Sequence, residues 1–148
     1  MAFAMKKHSL VAAVALAGCA SASAQIAPLP MAACAGWEGQ RVCETLHEDA
    51  MIRVLRCTFA PNVGHEPHFH PPHFGYTLEG GAARTRVEGE EYVTRTIASD
   101  GFWAMASENR HEALNLGEAP MRYLIVEKKY ADQRPASAVA PGLCAAGG

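Results

Sequence analysis

The sequence predicts an all-β domain, built as a sandwich or a jelly-roll barrel. About nine short runs rich in β-branched and apolar residues recur along it, and none carries a helical period. Turn signals separate them at about the eight-to-twelve-residue spacing of such folds. A third observation is the stretch Asn62 to Gly80, NVGHEPHFHPPHFGYTLEG, where histidines lie on two strand-like runs joined through Pro71 and Pro72. Prolines end a ladder and turn the chain.

The chain begins with a segment, residues 1–24, that reads as an export signal. Lys6 and Lys7 give a positive start, and Ser9 to Ala17 is apolar but too short to span a bilayer. Ala22-Ser23-Ala24 then offers a small-residue cleavage site, which makes Gln25 the first mature residue. A rival reading takes Leu16-Ala17-Gly18-Cys19 as a lipobox with Cys19 lipidated. Both export the protein, as a periplasmic or secreted species. Residues 25–40 form an arm rich in Pro, Ala and Gly, with little regular structure expected before Arg41.

The β-domain is expected over 41–130. Its strands are read at 41–46, 51–59, 65–70, 74–79, 82–88, 91–97, 102–105, 110–116 and 121–128. The run MIRVLRCTF from Met51 is the clearest of them. Glu88-Gly89-Glu90 reads as a hairpin turn and Asp100-Gly101 as another. Residues 131–148 return to Ala, Pro and Gly, a tail with few anchors apart from Cys144.

At 148 residues the chain has room for one domain with extensions. A net charge of -2 leaves no basic stripe to neutralise phosphates, which argues against nucleic acid. Export makes the four cysteines after Ala24 disulfide candidates. Three pairings are open. The one that ties both chain ends to the domain joins Cys34 to Cys144 and Cys43 to Cys57; the alternative is four free thiols.

Residues i and i+2 on a strand point to one side, so His68 and His70 face a common point. His73 follows the proline turn, and with it on the inner face Gly75 and Thr77 point inward too. These small side chains would leave space for a ligand. Phe69, Phe74, Tyr76 and Leu78 then face outward and need cover, from the arm or from a second subunit in a homodimer.

The stretch resembles the first motif of the cupin superfamily: two histidines one apart, an acid shortly after, and a strand ending in glycine. His68, His70 and Gly80 fall on that pattern. Asp100 to Asn115, DGFWAMASENRHEALN, is similar to the second motif, with His111 and Asn115 at its spacing. Each motif departs from the family at one feature: His73 holds the acid position or lies beside a vacant one, and Ala106 and Glu108 replace the usual proline and glycine. The resemblance implies a single jelly-roll barrel and a metal site of His68, His70, His73 and His111. The remaining histidines, His8, His47 and His65, are read as surface or hydrogen-bonded core residues.

Imidazole ligands suit Fe, Zn, Ni, Cu or Mn and disfavour calcium and magnesium. Neutral ligands leave the ion's charge uncompensated, favouring a small anionic ligand, unless Glu66 or Glu112 reaches the site. Phe102, Trp103 and Met105 are candidates to wall the pocket. No general base stands out, although Glu112 could serve as one. The resemblance therefore implies dioxygenase-like or isomerase/lyase-like chemistry on a small organic acid; the alternative is a non-catalytic metal or small-molecule binding module.

Overall fold

The computed structural model describes residues 28–131. The signal segment, Cys19 and Cys144 lie outside the described residues. Among the described residues there are eleven strands, and the only helical element is a 3-10 turn at Lys129–Ala131. The chain order is β1 (Gly36–Trp37), β2 (Gln40–Arg41), β3 (Cys43–Glu48), β4 (Ile52–Phe59), β5 (Gly64–His70), β6 (His73–Glu79), β7 (Gly81–Val87), β8 (Val93–Ile97), β9 (Phe102–Met105), β10 (Asn109–Asn115) and β11 (Met121–Lys128). One antiparallel sheet has the order β5-β10-β7-β8, and a second has β3-β4-β11-β6-β9. No helix among these residues is long and apolar enough to cross a membrane.

The arm differs from the sequence expectation. β1 and β2 pair as a small hairpin around Glu38 and Gly39, both at positive φ (50° and 79°). Two successive positive φ values define the type I′ turn, whose twist matches paired strands. Its usual signal is Asn-Gly or Asp-Gly, and here a glutamate stands first. Upstream, the Phe69 amide donates to the Pro30 carbonyl and the Ala32 amide donates to the Phe69 carbonyl. The arm thus covers Phe69, which is buried, whereas Phe74 on the next strand stays exposed.

The second sheet carries the core. On β4, Arg53, Leu55, Cys57 and Phe59 are buried, and on β11 Met121, Tyr123, Ile125 and Glu127 are buried. This is period-two burial on two paired strands, in register from Met121↔Phe59 to Lys128↔Ile52. The apolar residues fill one end. At the other end the same parity brings Arg53 opposite Glu127, two charges on the inner face.

Cys43 and Cys57 are Cα partners on β3 and β4 and form a disulfide, one of the pairs read from the sequence. Cys34 is also disulfide-bonded. The Cys43–Cys57 bridge closes a 14-residue separation. Replacing both cysteines with alanine is expected to lower stability by ~3 kcal/mol, the loop-closure contribution for a loop of that size. Urea unfolding of the variant against wild type measures it.

Candidate metal centre

His68 lies on β5 directly opposite His111 on β10, the two being Cα partners. His70 follows two residues later on the same face. One nitrogen from each of the three lies within 4.8 Å of the others. His68 and His70 are buried, and His111 is half-buried.

Each ring has an acceptor at its Nδ1. His68 Nδ1 donates to the Glu66 carbonyl (2.6 Å), and His111 Nδ1 donates to Asn109 Oδ1. His70 Nδ1 meets Glu127 Oε1 at 2.9 Å. Holding the proton on Nδ1 leaves Nε2 with its lone pair. The Nε2 atoms of His68 and His70 stand 3.1 Å apart. Two nitrogens sharing one ion at ~2.1 Å and a right angle stand ~3.0 Å apart, so the His68–His70 pair has the spacing of two ligands on one transition-metal ion, with the His111 nitrogen within 4.8 Å of both.

Electrostatics favour neutral rings. Burial holds His68 and His70 well below the usual histidine range, and the neighbouring imidazoles add to the effect. Burial likewise lowers His111 to about 4, with His65, His73 and Arg95 contributing. Neutral imidazole is the ligating form.

His73 sits beside this group without belonging to it. Its Nδ1 donates to the Pro71 carbonyl (2.9 Å), and its Nε2 accepts from Trp103 Nε1 (3.3 Å). Both nitrogens are engaged, so the expected fourth ligand instead packs against His70, ring centroids 4.8 Å apart.

The space that Gly75 was expected to leave for a ligand is also filled. A Cβ built there would lie 2.1 Å from Trp103 Cζ2, so glycine makes room for the indole. Trp103 and Met105 do line the cavity, as expected. Phe102 does not: it is 74% exposed and stacks on Phe74 at the outer face. On β9 the two-residue alternation sends Phe102 and Trp103 to opposite sides.

His65 is hydrogen-bonded and buried, as read, but its place was not legible. Counting by twos from His68 puts it on the opposite face. β5 pairs His68 with His111 but His65 with Ala113, so it carries one extra residue between these points. This bulge spans Glu66 and Pro67, and proline lacks the amide a regular ladder needs. His65 therefore turns inward, stacks on His68 at 3.6 Å and bonds the Ala32 carbonyl at 3.1 Å. Burial takes it to about 4, so it stays neutral.

Neither nearby acid joins the three nitrogens. Glu66 accepts from the Glu38 amide, and Glu112 is held by Arg86 and Tyr92. Asn115 clamps a turn: its amide donates to the Phe59 and Ala119 carbonyls, and its oxygen accepts from the Gly117 amide.

The residues that sequence reasoning missed lie behind His70. Glu127 is fully buried, and its second oxygen accepts from Arg53 Nη1 at 3.0 Å. Arg53 in turn grips Glu48 through Nε and Nη2 (3.0 and 2.9 Å), and Lys129 reaches the same carboxylate at 2.9 Å. Burial pushes Glu127 up to about 7 against the pull of Arg53. Arg53 therefore works to keep Glu127 ionised, and an ionised Glu127 keeps the His70 proton on Nδ1. Charged residues at inward parity on two apolar strands were the available signal.

The outer end of this chain is acid-sensitive. Hydrogen bonds from Arg53 and Lys129 hold the Glu48 carboxyl at about 2, below its ordinary value of 4.5. A depressed carboxylate stabilises the fold above its unfolded pKa and loses that contribution as pH falls through the folded one. Glu48→Gln is expected to lower the urea midpoint at neutral pH and to narrow its gap from wild type as pH falls from 4.5 towards 2.

A cavity of about 440 Å³ lies between the two sheets and meets the cluster at His111. Its lining is mostly apolar and contains no aspartate or glutamate.

No family model matches the sequence, and no curated protein matches it. Solved structures do. A cupin domain from Bordetella pertussis Tohama I is similar over 60% of this chain and 92% of its own, at 15% identity and a TM-score of 0.55. An RmlC-like cupin family protein with a double-stranded β-helix fold from Methanocaldococcus jannaschii is similar over 64% and 90%, at 11% identity and a TM-score of 0.49. A Cupin 2 conserved barrel domain protein from Salinispora arenicola is similar over 63% and 79%, at 17% identity and a TM-score of 0.47. Two facing antiparallel sheets with a histidine cluster between them, matched to the Bordetella domain along most of its length, give this chain the cupin fold.

Proposed function

We propose that this chain is an exported metal-binding cupin that presents one divalent transition-metal ion to a small organic acid. His68, His70 and His111 would hold the ion. The observation that carries this is the set of three imidazoles, two buried and one half-buried, each with its Nδ1 proton accepted elsewhere, beside a largely apolar cavity. A bound ion would act there as a Lewis acid toward a carbonyl or carboxylate oxygen. The chain supplies the rest. Glu127 and the Glu66 carbonyl orient two rings, Trp103 fixes His73 out of the set, and the apolar walls exclude water from the bound molecule.

The absence of a carboxylate from the cavity lining favours chemistry that needs no general base. Dioxygenase-like turnover fits that condition better than isomerase or lyase chemistry. The same observation supports a second reading, binding of a metal or small molecule without turnover.

Elemental analysis of chain purified from the periplasm without chelator tests the reading. Wild type is expected to carry about one transition-metal ion per chain, and His68→Ala and His111→Ala roughly a tenth of that or less. Equal metal content in all three would sink the proposal. Oxygen uptake by the loaded protein with a set of small organic acids then separates the two readings: consumption supports the enzyme, and none supports the binding module. N-terminal sequencing of the same preparation is expected to begin at Gln25.

A further inference from the structure

Arg95 stands where the cavity calls for an explanation. It lies on β8, at the edge of its sheet, and shares parity with Ile97; both line the cavity. Its Nη2 donates to Thr85 Oγ1 at 3.0 Å. Among the described residues no carboxylate pairs with it, although most other arginines here have one, as Arg53, Arg56, Arg86, Arg110 and Arg122 do. Burial raises the Tyr123 phenol to about 12, with Arg95 pulling against that rise. Tyr123 also lines this space, and its hydroxyl's hydrogen-bond partner among the described residues is the Met121 thioether at 4.0 Å. A sulfur is a weak acceptor.

The rest of the lining is mostly apolar, with Ile97, Met105, Leu114 and Ile125 in it. A volume of about 440 Å³ is within the range that encloses a whole small ligand. An unpaired guanidinium beside an acid-free, apolar space recognises one kind of molecule: an anion with a hydrophobic body. Guanidinium matches the carboxylate fork, with two parallel N–H donors.

We infer that the cavity binds a mostly apolar carboxylate, its carboxylate on Arg95 and its hydrocarbon body along the walls toward His111. This rests on the reading of the cavity as the ligand chamber of the metal centre, and it names the ligand class and the residue that selects it. Arg95 is a specificity residue, exposed on the edge strand where it lines the chamber, and separate from the three imidazoles.

The test uses hexanoate and 3-phenylpropionate, each against its primary amide, titrated calorimetrically into the full exported chain. The carboxylates are expected to bind at least ~10-fold more tightly than the amides, the size of one charge-assisted contact. Arg95→Met is expected to bring the ratio to within about twofold, and Arg95→Lys to keep part of it, since lysine retains charge without the fork. The preference is expected to persist after metal removal with EDTA. Metal content, measured on the same Arg95→Met preparation, is expected to equal wild type.

Three results overturn the inference: amides binding as well as the acids, no saturable binding of either, or a preference that Arg95→Met leaves intact. A preference that vanishes with the metal but survives Arg95→Met places the carboxylate on the ion, overturning this inference and leaving the metal centre standing. Conversely, wild type that takes up no metal yet keeps an Arg95-dependent preference removes the metal reading alone.

Discussion

Replacing Glu127 with glutamine is expected to weaken divalent-metal binding by about 10–100-fold, the usual cost of losing a group that orients a ligating histidine. The side chain keeps its shape, so the effect is one of proton placement. Glu127 is 0% exposed and accepts from both His70 Nδ1 and Arg53 Nη1. A glutamine amide presents an N–H donor as well as an acceptor. With its oxygen on Arg53, its N–H faces His70 Nδ1, which then serves as acceptor, and the ring proton moves to Nε2. That is the atom pointing at His68 Nε2 across 3.1 Å. Competition with a chromogenic chelator, using zinc and cobalt, gives the affinity. The Co²⁺ visible spectrum reports whether three imidazoles or two remain bound. Arg53→Met is expected to act in the same direction, because Glu127 buried without its cation is pushed further toward protonation. An unchanged affinity in Glu127→Gln would show that the carboxylate only fills space.

Replacing Trp103 with alanine is expected to cost about 3–5 kcal/mol, near the lower end because the residue is only half-buried. The indole lies over Gly75, donates to His73 Nε2 and meets the Tyr123 ring edge-on at 5.9 Å. Alanine leaves a void over the glycine and frees the nitrogen of His73. Trp103→Phe keeps most of the packing and removes only the N–H, so it is expected to recover most of the stability while still freeing His73. Gly75→Ala presses on the same contact from the other side: its Cβ would have to displace the indole. Urea unfolding of the three variants measures the packing. Metal affinity in Trp103→Phe reports whether a released His73 joins the ligand set, as the sequence alone had suggested.

Much of this was legible from the chain itself because strand geometry is local. Alternation on MIRVLRCTF and MRYLIVEK gives the buried faces of β4 and β11, and the strand bounds agree within two residues almost throughout. His68 and His70 share a face through the same period of two, and that pairing needs no knowledge of the rest of the fold. The Cys43–Cys57 pair was one of three readings, and adjacent antiparallel strands made it the one formed.

Other features depend on what lies across from a strand, and sequence spacing carries no record of it. His65 reached the inner face only because Glu66 and Pro67 bulge. Trp103 took the space above Gly75 because β9 pairs with β6 in the register Gly75↔Trp103. Glu127 stands opposite Arg53 on one side and His73 on the other because β11 lies between β4 and β6.

The sequence by itself determined the β class, the shared face of His68 and His70, and the spacing that brings His111 into consideration with them. Only the tertiary structure decided that a carboxylate 57 residues away from His70 stands behind its ring, and that His73 is withheld by an indole. The physical reason is range: alternation is fixed by the backbone of one strand, whereas a buried ion pair or a ring contact exists only once distant strands are in register.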